Sequence, residues 1–341
     1  EEEVGLNGAK ALDKSVLKAR TMINMDSEDE GVATVSCAGG LRVQFTKEIQ
    51  RTTVQGSLLT LKVEGLLGGH SGQDIDKERQ NADLLMARMI QRLLKETKGQ
   101  LVSFNGGTKD NAIPRECEAS LIYESDEEAA KAEELACELA ETYAEELTPA
   151  EPDFSCEISC ETNRTAEAIP QDAAKEFICA MRLAPNGIQK RNIKMDGFVV
   201  VSLNLGVVRT EEDRIVMIFS PRSSVASLQE DTKERLNTLA ETFGFTVSHS
   251  SEYPGWSFKE DSPVREICKE SYKELFGEDL KIEAIHAGLE CGLFSDAIKG
   301  LDAIAIGPTI ANCHTPDEYL TLDSFERFYE FLKDILSRLA K

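Results

Sequence analysis

Four places in the sequence combine acid–base or metal-ligating residue types with turns. Glu2 and Glu3 stand before Gly5, and Asp26 closes a short extended run. His70 lies in Gly68-Gly69-His70-Ser71-Gly72, and His314 in Asn312-Cys313-His314-Thr315-Pro316-Asp317-Glu318. Carboxylates and an imidazole together make a reasonable zinc ligand set. Two adjacent glutamates can divide the work, one binding metal while the other accepts a proton from metal-activated water. Each place also has an ordinary reading. Acids favour helix starts, which would account for Glu1 to Glu3. Asp26 begins an acidic loop, and a lone loop histidine commonly serves structure. Spacing by itself leaves both readings open.

The elements that would position these residues alternate between strand and helix. Apolar residues at Leu6, Ala9, Leu12, Val16 and Leu17 predict a helix over 6–20, followed by an extended run over 21–25. Near the other end, Ser262 and Pro263 read as an N-cap and first helical position, and Gly277 as the helix stop. A strand over 281–286, a Gly-rich segment, a strand over 303–306 and a closing amphipathic helix complete an α/β pattern with a largely parallel sheet. The closing helix places Phe325, Phe328, Leu332, Ile335 and Leu336 on one side. In open α/β sheets ligands bind beyond the carboxyl ends of strands, where Asp26 and His314 fall.

The middle of the chain reads differently. Strand 57–65, helix 74–95, strands 100–104 and 116–123, helix 126–147 and strand 154–161 form the β-α-β-β-α-β order of a ferredoxin-like unit. A second run nearly repeats it, with a helix over 171–181, strands over 198–208 and 214–219, a helix over 228–243 and a strand over 245–249. The fold expected is a discontinuous α/β catalytic domain, incomplete at its N-terminus, with an inserted α+β lid of two ferredoxin-like halves. The expected divisions are 1–55 and 253–341 for the catalytic domain and 56–252 for the lid.

Composition narrows the partners. The 341 residues carry 38 Lys and Arg against 61 Asp and Glu, a net charge of −23 that disfavours nucleic acid and anionic membrane. No run approaches the length of a membrane helix, and 41% hydrophobic with 29% charged residues suits a globular, cytoplasmic-type protein. The nine cysteines do not follow a secreted disulfide pattern and point to a reducing compartment. Cys156 and Cys160 share one strand face, where core filling or a structural pair is favoured over a metal site.

Several stretches then carry a resemblance along essentially the whole chain. They are Glu2-Glu3-Val4-Gly5, Asn24-Met25-Asp26-Ser27-Glu28-Asp29-Glu30-Gly31, Cys37-Ala38-Gly39-Gly40, Gly65-Leu66-Leu67-Gly68-Gly69-His70-Ser71-Gly72, Pro221-Arg222-Ser223-Ser224-Val225 and Tyr253-Pro254-Gly255-Trp256. The most specific is Ala284-Ile285-His286-Ala287-Gly288-Leu289-Glu290-Cys291-Gly292-Leu293-Phe294, with Ile306-Gly307-Pro308-Thr309 and His314-Thr315-Pro316-Asp317-Glu318. The sequence resembles the aminoacyl-histidine dipeptidases, within the co-catalytic zinc peptidases that include carboxypeptidase G and the carnosinases.

The resemblance implies an enzyme that hydrolyses dipeptides, preferentially Xaa-His, with water activated by two zinc ions; manganese or cobalt can occupy such sites. It implies Glu2 as general base, and Glu3, Asp26 and His314 as metal ligands. His70 would polarise the scissile carbonyl or hold substrate. Asn111 and Arg222 would bind the substrate carboxylate, and Gly288 and Glu290 would line the pocket. A small peptide is the expected partner, with a homodimer formed through the lid. His286 reads as a residue serving the fold. A related zinc tripeptidase, an N-acyl amino acid deacylase and a non-catalytic binding or assembly module are the rival readings.

The sequence also departs from the family pattern. None of its four histidines is followed two positions on by aspartate, and Glu1 stands where the family usually has Asp. The family's His-x-Asp motif and its bridging aspartate lie upstream of the Glu pair. The expectation is therefore a chain lacking the N-terminal third, with weak zinc binding and little activity.

Overall fold

A single residue, Ala38, joins the two β-sheets that carry this chain. The computed structural model describes residues 6–193, 197–313 and 315–340. The first elements are α1 (Asn7–Ala11), β1 (Thr21–Asn24) and β2 (Val32–Cys37). Directly after Ala38 comes β3 (Gly39–Glu48), then β4 (Thr52–Glu64) and the short β5 (Gly69–His70). The helix expected over 6–20 is reduced to α1 and a 3-10 turn at Lys14–Val16, where the Asp13 side chain accepts the Ser15 amide. Neither element buries a residue, and so short a helix is marginal without a packed face.

Next come α2 (Ala82–Glu96), β6 (Gln100–Gly106), β7 (Ala112–Ile113), β8 (Cys117–Tyr123), α3 (Asp126–Leu147) and β9 (Ser155–Ala168). The helix expected from residue 74 starts at Ala82, because the Asn81 side chain caps it by accepting the Asp83 and Leu84 amides. Residues 74–78 instead wrap the end of β5, with Asp74 Oδ2 accepting the His70 amide at 2.8 Å. The α2 positions Ala82, Leu85, Met86, Met89, Ile90 and Leu93 recur at helical spacing and are all buried. Beyond them lie α4 (Gln171–Leu183), β10 (Gly187–Arg191), β11 (Val199–Thr210), β12 (Arg214–Ser223), α5 (Ala226–Thr242) and β13 (Thr246–Tyr253).

The large sheet runs β13-β3-β12-β11-β6-β8-β4-β9, with β10 also paired to β11. Read in chain order, β4, β6, β8 and β9 take the positions 4-1-3-2 of a ferredoxin-like sheet. So do β3, β11, β12 and β13. One half is therefore inserted in the other, between β3 and α4, and β3 is the first strand of the half that the sequence showed as incomplete. The expected boundary at residue 55 moves accordingly, since β3 and all of β4 belong to the lid sheet. Both halves share one core, in which Phe45 and Phe219 rings lie 4.8 Å apart and Phe104 meets Phe177 edge-on at 5.4 Å. Cys156 and Cys160 pack against that core, in keeping with filling.

The halves meet where β11 pairs with β6, at Val208 and Gly106. Gly107 closes this junction at φ +67, and a Cβ there would lie 1.9 Å from the Gly206 carbonyl oxygen. Gly107→Ala is expected to destabilise the protein by about 2–4 kcal/mol, combining left-handed strain with backbone displacement. Calorimetry checks this, and an unchanged Tm would show that the junction yields freely.

The smaller sheet is completed by α6 (Pro263–Phe276), β14 (Lys281–Ile285), α7 (Glu290–Ala297) and β15 (Asp302–Ala305). A hairpin of β16 (Ile310–Ala311) and β17 (Tyr319–Leu320) then leads into α8 (Leu322–Leu339). The strand order is β1-β15-β2-β14, with β1 parallel to β15 and β2 parallel to β14, but β15 antiparallel to β2. The sheet is thus mixed rather than largely parallel. Helices α6 and α8 cover one face through Val264, Cys268, Tyr272, Phe328, Phe331 and Ile335, while α7 lies on the other. On α8 the buried stripe is Phe328, Phe331 and Ile335, leaving Phe325 and Leu336 exposed, against the predicted face. Helix α6 starts and stops as its sequence indicates, with Ser262 accepting the Arg265 amide and Gly277 at φ +76. Among the described residues no helix is long and apolar enough to cross a membrane.

Candidate active site

The carboxyl ends of β1 and β15 lie side by side, and their loops are stitched together by main chain. The Ile306 amide donates to the Asn24 carbonyl at 3.0 Å, and the Ile310 amide to Glu28 at 2.9 Å. Asp26 stands exposed in the first of these loops, its amide donating to Asn24 Oδ1 at 2.9 Å. Glu2, Glu3 and His314 lie outside the described residues. Among the described residues no group of three His, Cys, Asp or Glu could hold a metal, so Asp26 is the one expected ligand with a described position. A carboxylate such as Asp26 at a strand end suits an oxygen-donor metal site in donor type.

A second group of candidates gathers at the other end of the small sheet. Because β2 runs antiparallel to β15, its own carboxyl end, at Ala38, points the opposite way along the sheet from the carboxyl ends of β1 and β15. Here the lid meets the catalytic domain. His70 pairs with Ala112 across β5 and β7, and its Nδ1 accepts the amides of Gly72 (3.2 Å) and Gln73 (3.0 Å). That fixes the ring's proton on Nε2, leaving one N–H donor. Burial foremost, then the Arg222 cation, lowers the His70 pKa against the opposing pull of Asp74, so the ring is neutral near pH 7.

Arg222 lies on β12, opposite Ser202 of β11 and Gly40 of β3. It is only 7% exposed; Nη1 donates to the Tyr253 hydroxyl at 3.0 Å, and Nε is buried with no partner among the described residues. An unmet donor on a buried guanidinium is costly unless an anion completes it, and its planar fork matches a carboxylate. A Cβ on Gly288 would meet the Tyr253 ring at 2.8 Å, so Gly288 and Arg222 flank the same tyrosine. Asn111 is exposed, and its carbonyl accepts the Ser71 amide at 2.9 Å, which sets its loop beside His70. Glu290 is half-buried as the first residue of α7.

The fold thus brings His70, Arg222, Gly288 and the Asn111 loop to the interdomain junction, while Asp26 lies in the loop after β1. Sequence reasoning passed over Tyr253 as a contact of Arg222, and over Ser202, and it read His286 as a residue serving the fold. Tyr253 opens a motif that was legible. Ser202 carries no local signal, since its importance depends on a histidine 84 positions away.

Comparison with known proteins bears on the whole chain. Residues 1–338 match Peptidase family M20/M25/M40. The cytosol non-specific dipeptidase of Escherichia coli (strain K12) is 33% identical over 344 residues, covering 99% of this chain and 70% of that protein. The crystal structure of the aminoacylhistidine dipeptidase from Vibrio alginolyticus superposes with a TM-score of 0.94 at 34% identity, covering 99% of this chain and 69% of that one. The chain spans about seven-tenths of the length of both relatives, and no observation supports the expected inactivity.

Proposed function

Because this chain belongs to Peptidase family M20/M25/M40, we propose that it hydrolyses dipeptides with a C-terminal histidine, using a divalent metal for which zinc is the first candidate. The observation that carries this reading is the likeness, across nearly all of the chain, to a dipeptidase and to an aminoacylhistidine dipeptidase. The site adds chemical support. Arg222 offers a buried cation with an unmet donor, suited to the free carboxylate of a peptide. His70 offers a neutral N–H, suited to a carbonyl oxygen that gains charge during attack.

Glu3, Asp26 and His314 are the proposed metal ligands; a metal held there supplies Lewis acidity and makes water a better nucleophile. Glu2 is the proposed base, taking a proton from the attacking water and passing it to the departing amine. Asn111 joins Arg222 on the carboxylate, and Gly288 and Glu290 shape the pocket beside Tyr253. The acidic surface, the free cysteines and the word cytosol in the relative's name support a cytoplasmic location. The long edge strand β9 is the surface proposed for a homodimer through the lid.

Hydrolysis of a panel of Xaa-His dipeptides, tripeptides and N-acyl amino acids by the full-length protein tests the proposal. Chelation should abolish turnover and added zinc restore it, with Xaa-His dipeptides cleaved fastest. Glu3→Ala and His314→Ala should each lower metal content and reduce turnover by at least about 100-fold. Preference for tripeptides or acylated amino acids would replace the substrate assignment. Turnover unaffected by chelation and by both substitutions would remove the metal site.

A further inference from the structure

Three separate parts of the molecule close on His286, the residue that follows β14. The hinge grips the main chain on either side of it, the Ala38 amide donating to the Ile285 carbonyl at 3.2 Å and the Ala287 carbonyl at 3.1 Å. The loop after His70 presses on its own carbonyl, since a Cβ at Gly72 would lie 2.3 Å from that oxygen. Its ring, 7% exposed, reaches across to the lid, where Nε2 and Ser202 Oγ share a hydrogen bond of 2.7 Å. Ser202 is the register partner of Arg222. One residue of the catalytic domain therefore touches the hinge, the His70 loop and the strand pair that carries Arg222.

An ordinary core histidine would satisfy both nitrogens or be apolar. Among the described residues, His286 Nδ1, Arg222 Nε and Ser71 Oγ are buried at this junction without a hydrogen bond of standard geometry, with the Val199 carbonyl near the His286 ring. A polar ring retained at that cost is consistent with a site whose geometry depends on it. Burial first and then the Arg222 cation depress the His286 pKa to about 3, against the Val199 carbonyl, so the ring stays neutral and adds no second charge beside the guanidinium.

We propose that His286 is a positioning residue, which through Ser202 and Gly72 holds Arg222 and His70 in place on the catalytic domain. The proposal rests on the reading of Arg222 as the carboxylate-binding group. Its test uses His286→Phe, Ser202→Ala and the conservative His286→Gln in the full-length protein, with Arg222→Met alongside. Two quantities are measured: the preference for an Xaa-His dipeptide over its C-terminal amide, and hydrogen exchange over residues 70–72 and 199–204. His286→Phe and Ser202→Ala should speed exchange in both segments and lower the acid-over-amide preference by about tenfold, the worth of one hydrogen bond to a buried site. His286→Gln, which can still reach Ser202, should restore most of it. A merely structural role would lower both substrates equally.

Unchanged exchange in His286→Phe overturns the proposal. So does faster exchange with an unaltered preference, where Arg222→Met alters it. If Arg222→Met leaves the preference unchanged, the carboxylate reading falls, and the positioning of the two lid segments is decided by exchange alone.

Discussion

Arg222→Met should lower kcat/KM for free dipeptides by about 30- to 1000-fold, while cleavage of the corresponding C-terminal amides changes little. The size follows from removing one partner of a buried charge-assisted pair, about 2–4 kcal/mol. The sheet and a tyrosine hold the guanidinium in place. Strand β12 fixes its backbone between β11 and β3, and the Tyr253 hydroxyl takes one Nη1 donor. Its Nε remains unmet and buried, so an anion gains a donor that has no competing water-exposed alternative. Arg222→Lys should recover only part of the loss, because an ammonium presents no planar fork. The effect should fall mainly on KM if the carboxylate is held equally in substrate and transition state. Equal losses on acid and amide would show that Arg222 supports the fold rather than reading the substrate terminus.

Asp83→Asn should flatten the pH dependence of stability by about 4 kcal/mol between pH 5 and pH 8. Asp83 lies in the first turn of α2, fully buried, and among the described residues its carboxyl oxygens have no hydrogen bond of standard geometry, with the Cys117 thiol beside them. Gly106 packs directly against it, where a Cβ would lie 1.6 Å from Oδ1. Burial pushes its pKa up to about 8 from an ordinary 3.8, although the Cys117 thiol and the Arg209 guanidinium pull it down. The native state therefore keeps a proton that the unfolded chain has lost above about pH 4. Stability contributed by the neutral acid is fully present below pH 3.8, declines as pH rises, and is exhausted once pH passes about 8, at about 1.4 kcal/mol per pH unit. An amide of the same shape does not ionise and escapes this slope. Urea unfolding at pH 5, 6.5 and 8 measures it, and parallel pH profiles for parent and variant would refute an uncharged Asp83.

Both effects arise from residues whose surroundings are built by distant segments, and this divides what could be read from sequence from what could not. Capping was legible at Ser262, Pro263 and Gly277, because a helix end is decided by residues within one turn of it. The α3 boundaries were legible for the same reason, with Ser125 capping and three acids in the first turn. The double ferredoxin-like pattern showed in the alternation of periods two and 3.6. What failed was β3, read with the wrong domain. Its pairing with β12 and β13 bridges the whole inserted half, and ladder hydrogen bonds join backbone groups that carry no residue identity.

The candidate site divides in the same way. The motifs around His70, Arg222 and Gly288 carried a family resemblance, and it was that resemblance, not residue type or spacing, that pointed to peptide chemistry before any coordinates. That Arg222 Nε lacks a partner among the described residues, that Tyr253 links the guanidinium to Gly288, and that His286 stays neutral against Ser202 are outcomes of packing. Burial and neighbouring charge set those states, and both are sums over residues far apart in the chain. Sequence therefore determined which groups this protein has to work with, and the tertiary structure alone decided which of them are desolvated, paired and held within reach of one another.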